Sequence, residues 1–328
     1  MRSVYIVENP LLDYVIHEDK AWLERFGAEP GSMRTVDHER FLEVTDTPRG
    51  YRVLPGGSGA NTARALALLY GSEPGAGPRV AYSGGIGADE PGDAFRCVLE
   101  ELGIETGLAV KAGNTGVSAI VVTPDHERTM FTCLGASRDY RAEDLRLDIL
   151  RDSRLFYSTG YLWDSGPQEL ALKAAVDEAR AGGVQIAFDL ADAFVVESHF
   201  RELRDWLRGR VDLLFGNREE LALITDCSGS DAEIIRRAER FAPVVAMKIG
   251  KGGCLVLGGG RLVHVPGERV TRVDATAAGD SFSAGFLYGY IEGRELIDCG
   301  RLGNRLASRI ITVEGARYEL LDRAELLL

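Results

Sequence analysis

The chain predicts an α/β protein: a doubly wound, largely parallel sheet that carries a small discontinuous β lid. Two observations point there. From Arg79 onward, short β-rich runs alternate with amphipathic helical stretches, the order that builds a parallel sheet through right-handed crossovers. Two separate segments, residues 14–53 and 105–135, break that order and read as β-rich inserts. Inserts on an α/β body suggest a small sheet over the carboxyl edge of the large one, where ligands bind in this architecture. Residues 1–328 then form a single domain, with the lid made by about 14–53 and 105–135.

Each element has a local reason. Met1–Glu8 alternates apolar and polar residues like a first strand, and it lacks the apolar run and small-residue cleavage site of a signal peptide, so a cytoplasmic protein is expected. Residues 155–160 and 184–190 read as strands around a helix from Pro167 to Gly182, with proline at its start and glycines at its end. A helical stretch from Ser198 to Arg208 and strands at 211–216 and 244–250 continue the series. Val117–Thr123 and Arg128–Cys133 flank a Pro124-Asp125-His126-Glu127 turn and read as a hairpin. Residues 71–78 (GSEPGAGP) read as a loop or linker.

Composition excludes several classes. The net charge of −12 disfavours general nucleic-acid binding. No apolar run is long enough to span a membrane. Five cysteines without a C-x-x-C pair and five histidines without H-x-x-x-H spacing support neither a disulfide framework nor a transition-metal site.

Chemistry concentrates in residues 273–289 (VDATAAGDSFSAGFLYG). Ala277, Ala278 and Gly279 open a helix with side chains so small that its first backbone N–H groups stay accessible to an anion. Asp280 lies in that first turn. A carboxylate is a poor anion ligand, so it reads either as a general base or as an acidic residue complementing the helix dipole. The stretch resembles the D-T-x-G-A-G-D signature of the ribokinase family, with Ala275 and Ala277 departing from it. The resemblance implies a ribokinase-like fold, ATP as phosphoryl donor, Mg²⁺, and Asp280 as the base with Ala277–Gly279 as the anion hole.

Further segments resemble the same family in order along the chain. Residues 56–61 (GGSGAN) precede an apolar helix and place Gly57 and Asn61 at the acceptor; a dinucleotide fingerprint is the rival, but its last glycine is missing. Asn217 and Glu220 match the family's N-x-x-E, implying Mg²⁺ held through water. Lys248, Gly250, Gly252 and Gly253 resemble the nucleotide loop, Asn304 and Ser308 fall near the adenine pocket, and Asp274 and Thr276 near a monovalent-cation (K⁺) site. Asn9-Pro10-Leu11-Leu12-Asp13 resembles the adenosine-kinase G-N-P-L-L-D segment, Glu8 replacing its glycine. That implies acceptor contacts by Asn9, Leu11 and Asp13, the last accepting from a vicinal diol. On the hairpin, Met130, Thr132 and Leu134 share a face that by resemblance covers a nucleobase, with Arg128 approaching the phosphates.

The expected activity is transfer of the ATP γ-phosphate to a primary hydroxyl of a small molecule, the 5′-hydroxyl of a purine nucleoside first. A sugar kinase is the alternative within the class, and a catalytically silent nucleoside-binding sensor the alternative outside it. A homodimer is left open.

Overall fold

The computed structural model describes residues 2–47, 49–71, 79–125, 127–164 and 166–328. The loop expected at 71–78 therefore lies, beyond Gly71, outside the described residues, as does His126 of the expected turn.

Fourteen strands are described: β1 (Arg2–Val7), β2 (Leu11–His17), β3 (Met33–Thr35), β4 (Arg52–Gly56), β5 (Val80–Ile86), β6 (Glu105–Val110), β7 (Gly116–Val122), β8 (Arg128–Cys133), β9 (Ser153–Thr159), β10 (Gln185–Asp189), β11 (Leu213–Asn217), β12 (Val244–Lys248), β13 (Cys254–Gly258) and β14 (Arg261–Val265). Nine of them form one sheet in the order β14-β13-β12-β11-β10-β9-β1-β5-β6, parallel from β12 to β6. The chain runs outward from β1 through β5 to β6, then resumes on its other side at β9 and runs outward to β12. The order reverses beside β1, which makes the carboxyl ends of β1, β9 and β10 the expected binding crevice.

Burial on both faces explains the apolar strand sequences. Phe156, Phe188, Leu172 and Trp206 belong to one core, and Ile6, Leu66, Phe215 and Phe286 to a second.

The remaining five strands form a smaller sheet, β3-β8-β7-β2-β4. Helices Lys20–Glu24 and His38–Thr45 cover one of its faces, where Trp22, Phe41, Val44, Val117, Ala119, Val121 and Phe131 make a third core. Strand alternation sends Ser118, Ile120, Met130 and Thr132 to the opposite face. The expected hairpin is present, with Val117 opposite Cys133 and Val122 opposite Arg128.

Two expectations need correction. Glu105–Val110 pairs in parallel with β5 in the large sheet, so the second insert enters the small sheet only at Gly116. Strand periodicity reports which residues alternate, not which sheet receives them. The first insert is also less β-rich than expected, because two helices occupy much of it. The helix expected from Ser198 to Arg208 is present as Phe200–Leu207, and a further short helix, Ala193–Ser198, precedes it.

Candidate active site

The carboxyl ends of the parallel strands open into a cavity of about 1000 Å³ beneath the bare face of the small sheet. Glu8 follows β1, while Asp189, Asn217 and Lys248 end β10, β11 and β12, and all four line it.

Helix Ala278–Ile291 points its start at this cavity, and no side chain caps that end. Ala277, just before it, adopts a left-handed conformation (φ 57°). The Ala278 N–H turns back to the Ala275 carbonyl at 3.3 Å, so the anion hole expected of residues 277–279 rests on fewer free donors than the sequence suggested. Asp280, one turn in, is gripped from another element: Ser58 Oγ donates to Oδ1 at 2.7 Å and Asn61 Nδ2 to Oδ2 at 2.9 Å. Burial raises the Asp280 carboxyl above its ordinary range, opposed by these two hydrogen bonds and by the charge of Lys248. Ser58 and Asn61 reach it because helix Ser58–Tyr70 begins immediately after Gly57, whose φ of 84° turns the chain sharply. A Cβ on Gly57 would stand 2.8 Å from the Asn9 carbonyl oxygen, so this approach admits only glycine.

Lys248 Nζ bridges both Asp189 oxygens, at 3.0 and 2.8 Å, and Ser283 Oγ donates to the same carboxylate at 2.8 Å. A Cβ built on Gly279 would lie 3.5 Å from Nζ, which places this ammonium beside the open helix end. Desolvation lowers the Lys248 pKa, but Asp189, Glu220 and Asp280 outweigh it and keep the group charged. Asn217 and Glu220 form a reciprocal cap: Asn217 Oδ1 accepts from the Glu220 N–H at 2.9 Å, and Glu220 Oε2 from the Asn217 N–H at 2.8 Å. Burial pushes Glu220 up to about 7, with Lys248 opposing.

Asp13 on β2 lines the same space and is also pushed up to about 7, by burial first, with Arg128 opposing. Leu11, Gly57, Arg128, Met130 and Leu134 join it, as do Gly250, Gly253, Asn304 and Ser308. Asn304 and Ser308 are both buried, and Asn304 Nδ2 donates to the Val265 and Pro266 carbonyls at 3.0 and 3.2 Å.

Three expected residues are placed differently. Gly252 is in the turn after β12 but does not line the cavity. Asp274 borders a neighbouring cavity of about 670 Å³ instead, and its carboxylate is taken up by Thr276 N–H (2.9 Å), Thr276 Oγ (2.6 Å) and Gly315 N–H (2.8 Å). Burial would raise its pKa, yet these bonds together bring it below the usual range. Asn9 lines the main cavity, but its Oδ1 is occupied by Gln168 Nε2 at 2.5 Å. Sequence reading did not find Ser58, Glu8 or Asp189 as site residues; Asp189 carried the available signal, a carboxylate ending a strand of the parallel series.

The family model for pfkB family carbohydrate kinases matches residues 32–323. The chain belongs to that family. As a pfkB-family kinase it is a phosphotransferase with an alcohol acceptor, and ATP is its phosphoryl donor. The chain is similar to a probable sugar kinase from Rhizobium etli CFN 42 (31% identity, 99% of each chain, TM-score 0.90). It is equally similar to the adenosine kinase from Sinorhizobium meliloti (31% identity, 99% of this chain and 98% of that one, TM-score 0.89). A nucleoside kinase from Methanothermobacter thermautotrophicus is 27% identical over 99% of this chain and 94% of its own length. Among the described residues no helix is long and apolar enough to cross a membrane.

Proposed function

We propose that this pfkB-family kinase phosphorylates the 5′-hydroxyl of a purine nucleoside, adenosine first, with Asp280 as general base. The observation that carries the reading is the pairing of Asp280 with an uncapped helix start on one side and an apolar-roofed pocket on the other. Ser58 and Asn61 take one lone pair from each carboxylate oxygen and fix its plane, leaving acceptor capacity for the proton of an attacking hydroxyl. The free N–H groups of the helix start and the Lys248 ammonium face the charge that shifts during transfer.

Nucleoside is preferred to free sugar on two grounds. Asp13 offers a double acceptor to a vicinal diol, and Ile120, Met130 and Leu134 present apolar surface to a flat base. The small sheet acts as a lid over the acceptor, and residues 1–328 are one domain. Asn217 and Glu220 would meet Mg²⁺ through its water shell rather than as direct ligands, because the cap engages Asn217 Oδ1 and both Glu220 oxygens while leaving each a lone pair for a water proton. When bound, the ion neutralises phosphate charge. Asp274 does not fit K⁺ as a free ligand, because three protein donors fill it, and no step is assigned to that ion.

A coupled ADP-release screen over purine and pyrimidine nucleosides, ribose, fructose and ketodeoxygluconate tests the reading. Adenosine should give the highest kcat/KM; free sugars outperforming every nucleoside would leave a sugar kinase. No turnover with any acceptor would leave the binding-sensor reading.

A further inference from the structure

The acceptor side of the cavity contains a buried carboxyl that the reaction as described does not use. Glu8 is only 2% exposed, follows β1 at the reversal of strand order, and lines the cavity with Asp13 and Asp280. Its position is built from three elements. Asn9 N–H donates to Oε1 at 2.8 Å, Thr159 Oγ at the end of β9 donates to Oε2, and Gly59 lacks the Cβ that would overlap the Glu8 side chain. Thr159 Oγ itself accepts from the Tyr161 N–H at 3.2 Å, which directs the hydroxyl proton at Glu8. Two donors aimed at one carboxyl group suit its ionised form.

We propose that Glu8 sets the charge specificity of the acceptor site: its fixed carboxylate admits neutral polyhydroxyl acceptors and rejects acceptors that carry a carboxylate or phosphate of their own. The inference rests on assigning this half of the cavity to the acceptor. Arg128 offsets Asp13 and Lys248 offsets Asp280, whereas Glu8 is held by the neutral donors of Thr159 and Asn9. Among the described residues no Lys or Arg pairs with Glu8, so an anionic acceptor at this end meets an unneutralised carboxylate, an arrangement that discriminates by repulsion. Asp280 and the phenols of Tyr82, Tyr157 and Tyr161 are the titratable groups that interact with Glu8. Burial pushes its carboxyl up to about 7, so the filter strengthens as pH rises through neutrality.

The test uses calorimetric affinities of the full chain with a non-hydrolysable ATP analogue, for two matched pairs: adenosine against adenosine 3′-monophosphate, and ribose against ribonate. Glu8→Gln keeps the shape and removes the charge. At pH 8 it should narrow the neutral-over-anionic preference by about tenfold or more. Identical preferences in wild type and Glu8→Gln overturn the inference. Should that variant not fold, Asp13→Asn removes the other carboxyl that titrates near 7, and in that background the preference for ribose over ribonate, whose carboxylate stays ionised throughout, should still grow from pH 6 to pH 8; a flat profile overturns the inference. Failure of the nucleoside reading looks different, as adenosine would then not bind while the sugar pair still reports on Glu8.

Discussion

At the scale of single residues, the site depends on groups held in place by neighbours remote in the chain. Asp280 is separated by 222 residues from Ser58 and by 219 from Asn61, yet both donate to it. Asp280→Asn retains a hydrogen-bonding side chain but not the base, so kcat should fall roughly 10²–10⁴-fold while acceptor and ATP affinities change little. Single-turnover kinetics alongside equilibrium binding measure this; near wild-type turnover would remove Asp280 from the role. Ala277 offers a second test. Its left-handed conformation is strained for a residue with a Cβ, and the resembling signature has glycine there. Ala277→Gly relieves that strain but increases unfolded-chain freedom, so the net gain should be small, about 0.5–1 kcal/mol. Thermal or denaturant unfolding would show it, and a loss of stability would mean that the methyl packs favourably enough to outweigh the strain.

At the scale of elements, alternation within β7 and β8 divides the small sheet into a face packed on helices and a face over the cavity. A sheet with its own core can move as a unit. Adenosine binding should therefore slow hydrogen exchange in residues 11–56 and 116–133 together, while β6, paired in the large sheet, stays unchanged. Equal exchange in the small sheet with and without adenosine would identify it as a fixed roof. Local pattern predicted the hairpin and its inward face because both follow from a period of two. Membership of β6 was not legible, since the same alternation serves either sheet.

For the whole molecule, burial of carboxyls along one sheet edge makes stability depend on pH. Glu8, Asp13 and Glu220 are each pushed up to about 7, chiefly by burial. A carboxyl whose folded pKa exceeds its unfolded value favours the folded state when protonated, and that contribution disappears as pH rises from about 4 through about 7. Asp274 has the opposite sign, but its effect falls below pH 4 and lies outside this window. The ligand-free protein should thus melt at a higher temperature at pH 5.5 than at pH 8. A rising or level trend by calorimetry would show that these carboxyls are better solvated or better paired than their burial suggests. By itself the sequence determined the α/β class, the order of most elements and the start of the helix carrying Asp280, because each follows from periodicity or from small residues adjacent in the chain. Only the tertiary structure decided that Ser58 holds Asp280, that Asp189 holds Lys248 and that Glu8 lies in the cavity floor. Those pairings arise where parallel strands end side by side, and a partner brought in by a crossover leaves no spacing in the chain from which to read it.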